Sequence, residues 1–274
     1  MTKISSDRAA LIRLASSLPA GDETRKAILA GLAKTSSGEF NIPGKHIVDN
    51  ARVSGTAVVS GSAQVSENAK VAGKAQVSGD AKVYGKARVF ENAKVYDNTK
   101  VYDNAKVYGK AEVFENAKVL GEARVFGSAK VSENARVTER AQVFGKAEVS
   151  MNAVVSGLAQ VFGNAKVYDN AVLRFSAQVT GNARVFGMAR VSGKAMVSGT
   201  AVVFDKAHVS GSAQVSGSAQ VYGEAKVYAE AMVSGNARIG GTAIILGGEW
   251  DGSEGEILSG NWRGPGIPDL RITA

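Results

Sequence analysis

From Ala51 onward the chain alternates apolar and polar positions on a fixed six-residue beat: ARVSGT, AVVSGS, AQVSEN, AKVAGK, and so on to AIILGG at Ala243. The array holds 33 hexads with no insertion or deletion. Its first position is Ala except at Thr99, and its third is Val except at Leu173, Ile239 and Ile245, while Ile47 lies in phase one unit earlier. An inward Ala, an outward and mostly polar residue and an inward Val form a three-residue strand. The next positions are Ser/Tyr/Phe, then Gly/Glu/Asp, then often Asn/Lys/Ser. They read as a polar corner, where Gly and Asn accept left-handed backbone angles. Three strands and three corners close a triangular coil, so the pattern predicts about 11 coils spaced ~4.8 Å apart, a rod roughly 50 Å long.

Both flanks break the beat. Residues 1–34 predict a helical hairpin. Ser5 or Ser6 caps a first apolar stripe of Leu11, Leu14, Ala15 and Leu18 that Pro19 and Gly21 end, and Asp22 caps a second of Ile28, Leu29 and Leu32. After a linker at 35–45, the solenoid spans 46–246 and an irregular C-terminal cap spans 247–274. The hairpin either covers the first coil or docks an unidentified protein partner. Trp250 and Trp262 fall in the tail, where large aromatics after an Ala/Val array read as a lid over an open sheet end.

Counted from each Val, the small residue follows four positions later, as in Val53 and Ala57 or Val89 and Ala93. That spacing resembles the hexapeptide-repeat superfamily over residues 47–245, which implies a left-handed parallel β-helix. The A-x-V phrasing is similar to that of uncharacterised bacterial and phage repeat proteins labelled acyltransferases from their fold alone. One departure is that Tyr or Phe often follows the Val directly and Gly comes one place later. A right-handed solenoid of the bactofilin kind is the alternative fold, but its repeats are less strictly six residues long.

Composition narrows the chemistry. The 274 residues contain no Cys, which excludes disulfides, thiolate nucleophiles and Cys-ligated metals. His46 and His208 are the two histidines, so no site can draw three imidazoles from one chain, and neither metal nor cofactor is expected. Arg13 interrupts the short apolar stretch near the start, and no run approaches the ~18 apolar residues of a spanning helix. No membrane association is expected, and a cytoplasmic location is the default.

Residues eighteen apart stack on one another, which converts the sequence into a surface map. Phe90, Tyr108, Phe126, Phe144 and Phe162 make an aromatic ladder, and Tyr168, Phe186, Phe204 and Tyr222 make another, with Tyr96 and Phe114 earlier on the same edge. Self-stacking at corners is favoured over a sticky assembly edge. The net charge of +8 resolves into basic columns, Arg52, Lys70, Arg88, Lys106 and Arg124 on one face and Lys82, Lys100, Lys118 and Arg136 on another. Acids such as Glu67, Glu91, Asp97 and Asp103 lie close by and suit mutual neutralisation, so no nucleic-acid partner is expected. Val154 and Val172 replace outward polar residues on one face, with Leu158 and Phe175 at nearby corners and Met151 and Met188 in the neighbouring corner column. Such a patch is the mark of a side-to-side contact between chains.

The favoured function is therefore a non-enzymatic structural, scaffold or assembly rod that self-associates, a trimer being one form. Two alternatives stand beside it. The superfamily resemblance implies an acyltransferase with a site between subunits, for which His208 is the sole candidate base in the array. The basic columns suggest instead an oligomer that uses them to hold a small anionic ligand, such as a nucleotide, between rods.

Overall fold

The computed structural model describes residues 46–265 and 267–268, so the hairpin and the linker lie outside the described residues. The chain winds as a three-sided parallel β-solenoid of about 12 turns, its sheets holding 14, 12 and 12 strands. Face A begins with His46–Ile47, face B with Arg52–Val53 and face C with Val58–Val59. Along the hexad array each strand pairs with the one eighteen residues on, from His46↔Gln64 to Lys226↔Ile244. Turns are numbered here from His46.

The Ala-x-Val unit explains this geometry directly. From Ala63 to Val233 every apolar Ala and Val position is fully buried, with Leu173 the one larger substitute in that stretch. Small Ala beside β-branched Val suits a narrow interior, because close packing leaves no room for wider side chains at all six positions of a turn. Thr99 takes an Ala position and is also fully buried. Its hydroxyl donates to Tyr96 O at 2.7 Å, which satisfies the one polar group this substitution adds to the core.

The corners carry a second rule. The first corner residue donates its N–H to the Val carbonyl of the next turn, as Ser54 does to Val71 O at 2.9 Å. The third donates to the carbonyl of the next turn's middle corner residue, as Lys74 does to Glu91 O at 2.6 Å. Every middle residue from Gly55 to Gly241 has positive φ, and its N–H is left without a backbone partner. Acids of the preceding turn accept it: Glu67 N donates to Asp49 Oδ2 at 3.2 Å, Gly109 N to Glu91 Oε2 at 2.9 Å and Gly187 N to Asp169 Oδ2 at 3.0 Å. Thus 10 of the 13 non-Gly residues at positive φ are Asp or Glu, and the exceptions are Met151, Phe175 and Ala229.

The solenoid also runs past the last hexad. Glu249–Trp250, Glu256–Ile257 and Asn261–Gly264 extend faces B, C and A by one further turn, paired as Val233↔Trp250, Ile239↔Ile257 and Ile245↔Trp262. The offset is 17 residues at each Trp and 18 at Ile257, so the six-residue phase is lost while the pairing persists. Ile267–Pro268 then folds back antiparallel on Asn261–Gly264.

Candidate functional site

The structure brings the four apolar candidates together on face A and its edge with face B. Val154 and Val172 are direct register neighbours, bracketed along the sheet by Arg136 and Arg190. Leu158 and Phe175 occupy the following corner in the same two turns, and Leu158 N donates to Phe175 O at 2.7 Å. Phe175 is 67% exposed and stands at φ 57, where most corners carry Gly. A bulky side chain in this region is strained, so the corner holds an exposed ring at a site where Gly would cost less. Met151, 40% exposed, and Met188, 55% exposed, lie on the opposite edge of face A. The result is an apolar belt across the face from the sixth to the eighth turn.

Adjoining this belt is a polar cluster around His208. Its strand pairs with that of Arg190 on one side and Lys226 on the other. The imidazole Nε2 lies 3.2 Å from Ser192 Oγ, and Nδ1 lies 3.5 Å from Tyr228 OH, with the two rings edge to face at 5.5 Å. A groove of about 290 Å³ runs past Val172, Arg174, Phe175, Arg190, Ser192 and His208. Burial lowers the His208 pKa from its ordinary value of 6.5, and the Arg190 and Lys226 charges lower it further. His208 is therefore neutral near pH 7 and able to accept a proton. The sequence singles out His208 alone. Ser192 and Tyr228 sit 16 and 20 residues away, in corners of the adjoining turns, and the eighteen-residue period was the one signal that could have found them.

The aromatic ladders are stacks. Phe90, Tyr108, Phe126, Phe144 and Phe162 lie 4.8–4.9 Å apart with ring planes within 4°. Tyr168, Phe186, Phe204 and Tyr222 stack at 4.8–5.3 Å. A further pair, Tyr84 and Tyr102, stacks at 4.8 Å on the edge between faces A and B. Ring faces inside each ladder are occupied by their neighbours, and burial raises the pKa of Tyr84, Tyr96, Tyr108 and Tyr168.

Charge alternates on face C but not on faces A and B, and on face A Lys82, Lys100, Lys118 and Arg136 stack in register as like charges. On face C, Lys94, Glu112, Lys130, Glu148 and Lys166 alternate in register, with ion pairs Lys94–Glu112 at 3.1 Å and Lys166–Glu148 at 2.8 Å. On face B, Arg52, Lys70, Arg88, Lys106 and Arg124 stack with no alternation, and among the described residues none of them forms an ion pair. The corner acids expected to neutralise this column instead point along the corner, where Glu91, Asp97 and Asp103 accept backbone N–H groups. Among the described residues no group of three or more His, Asp or Glu could hold a metal ion, and no helix is long and apolar enough to cross a membrane.

A strict six-residue unit, three flat faces and a continuous Ala/Val interior define a hexapeptide-repeat parallel β-solenoid. No protein-family model and no curated protein matches the chain. Among solved structures, it is similar to an Arabidopsis UDP-N-acetylglucosamine acyltransferase, with a TM-score of 0.40 and 14% identity over 71% of this chain and 67% of that one. It is also similar to the UDP-N-acetylglucosamine O-acyltransferase of Moraxella catarrhalis RH4, with a TM-score of 0.35 and 15% identity over 64% of this chain and 70% of that one. No residue role follows from either similarity.

Proposed function

We propose that this protein is a structural rod that assembles side to side through the apolar belt of Val154, Leu158, Val172 and Phe175. The observation that carries the reading is Phe175, an exposed aromatic held at positive φ beside a face that has lost its outward charge. Strain of this kind persists where another contact offsets it, and a second copy of the chain provides the apolar surface to do so. The uninterrupted array supports a scaffold role as well, because no loop leaves the solenoid between Ala51 and Leu246 to wall in a substrate. Sedimentation of a Val172→Lys/Phe175→Glu variant tests the proposal. The wild type is expected to sediment as a multimer and the variant as a monomer with an unchanged melting temperature. An unchanged mass would remove the belt as the interface.

The His208 cluster favours a second reading, acyl transfer at a site completed by a neighbouring chain. A neutral imidazole held by Ser192 and Tyr228 and open to a groove with two guanidinium groups is equipped to take a proton from an acceptor hydroxyl or amine. His208→Asn reports on both the chemistry and the electrostatics. Acyl-coenzyme A turnover by the wild type, lost in the variant, is the enzymatic outcome, and absence of turnover in the wild type leaves the scaffold. The electrostatic outcome concerns pH and holds either way. The folded state binds the His208 proton less well than the unfolded chain, so this group's contribution to stability is complete above about pH 6.5. It is lost as the pH falls through the lowered folded-state value. Thermal melts of the wild type should therefore fall more steeply on acidification than those of His208→Asn.

A further inference from the structure

The corner that receives His208 holds more than a base. Ser192 Oγ lies 3.2 Å from His208 Nε2, and Tyr228 OH lies 3.5 Å from Nδ1. With the Nδ1 proton directed to the Tyr228 oxygen, the Nε2 lone pair faces the Ser192 hydroxyl. A hydroxyl, a base and a group that orients the base therefore stand in sequence, the arrangement that activates a serine. Ser192 is half-buried, and among the described residues His208 is the one partner of its hydroxyl. These three side chains belong to turns nine to eleven, past the apolar belt.

The same corner supplies a free donor. Along the edge between faces A and B, an acid one turn earlier takes the middle corner N–H, as Asp49 takes that of Glu67 and Asp103 that of Gly121. Gly193 follows Phe175 instead, and its N–H has no acceptor among the described residues. This N–H comes directly after Ser192, on the side where Phe175 lines the groove, and a carbonyl attacked by Ser192 needs such a donor for its growing oxyanion. The groove walls offer two chemistries. Val172 and Phe175 are apolar, while Arg174 and Arg190 are cations that form no ion pair among the described residues and suit a carboxylate. Resting on the acyl-transfer reading for His208 as base, we infer that Ser192 is a nucleophile and that this groove hydrolyses small carboxylate-bearing esters through an acyl-Ser192 intermediate. Ser192 Oγ bonds to the ester carbonyl carbon as His208 Nε2 takes the hydroxyl proton, and the leaving alcohol departs with that proton as its C–O bond breaks. Water then adds to the acyl carbon and gives a proton to His208. As the Oγ–C bond breaks, that proton returns to Ser192, so one ester and one water yield one carboxylic acid and one alcohol.

Two probes test this on the full chain: acetoxynitrobenzoate, an acetyl ester with a carboxylate on its chromogenic alcohol, and a fluorophosphonate, which labels activated serines. The wild type is expected to hydrolyse the ester, to prefer it to neutral nitrophenyl acetate, and to take one fluorophosphonate on Ser192. Ser192→Ala and His208→Asn should each lower kcat at least about a hundredfold and abolish the label. Ser192→Ala should also melt with the wild type, because Ala already fills the same place in a corner at Ala72. Tyr228→Phe, which removes the oxygen that orients His208, should lower kcat and leave KM unchanged. Ester turnover that survives in Ser192→Ala, or a label that His208→Asn retains, would overturn the inference. If Ser192→Ala keeps acyl-coenzyme A transfer to an added acceptor while His208→Asn loses it, the acyl-transfer reading stands and the serine nucleophile falls. A wild type inert toward ester, fluorophosphonate and acyl-coenzyme A would remove both.

Discussion

Val143→Asp is expected to divide the unfolding of the rod into two transitions and to cost the central turns at least about 4 kcal/mol. Val143 is fully buried on face B, in register with Val125 before it and Val161 after it. The interior at this level is Ala and Val, and the backbone N–H groups of the strands are committed between turns, so an inward carboxylate finds no donor. In a solenoid each turn touches its neighbours alone, so a defect at the midpoint removes the coupling between the flanking segments as well as the local packing. Gln142→Asp, one residue earlier and facing outward, is the control and should stay within about 0.5 kcal/mol of the wild type. Hydrogen exchange resolved by segment, together with thermal melts, reads the result. Equal losses at 142 and 143 would mean that the inward assignment of the Val position is wrong.

The contrast between these adjacent positions shows why the fold was legible. A six-residue unit with two nearly constant inward positions admits few arrangements, and each extra copy of the unit repeats the same constraint. Thr99 and Leu173 are tolerated as single exceptions because one hydroxyl finds a carbonyl and one larger side chain finds space. The extra turn through Trp250, Ile257 and Trp262 was not legible as a turn. Its pairing depends on corners that differ in length by one residue, and periodicity carries no signal once the period varies.

The candidate sites were legible only as far as eighteen-residue arithmetic reaches. It placed Val154 beside Val172 and ordered both aromatic ladders. It could not show that Glu91 and Asp103 turn toward backbone N–H groups rather than toward the cations of face B, because that choice depends on a positive-φ corner whose N–H lacks a backbone partner. The same limit hid Ser192 and Tyr228, which reach His208 from corners on either side of it. Side-chain direction at the corners, and not strand register, is the part of this molecule that the repeat does not encode.

Trp250→Ala is the second large effect expected, at about 3–5 kcal/mol, the range for truncating a buried large aromatic. Trp250 is 1% exposed and takes the place of a Val in the last described turn, in register with Val233 and part of the same buried core. Its indole N–H donates to Gly247 O at 2.8 Å, and its ring meets that of Trp262 edge to face at 6.2 Å. An Ala there leaves the Gly247 carbonyl without that donor and opens a cavity in the last described turn. The loss should be local at first, because end turns fray before central ones. Exchange protection should therefore fall from the strand at Met232–Val233 onward while Val143 and its neighbours keep theirs. An exposed end of three parallel sheets is also a template for pairing with another chain. Trp250→Ala should accordingly form end-to-end aggregates that the face A variants do not, and light scattering separates the two. A variant that melts with the wild type and stays dispersed would show that the antiparallel pairing of Ile267–Pro268 on Asn261–Gly264 closes the rod without the tryptophan.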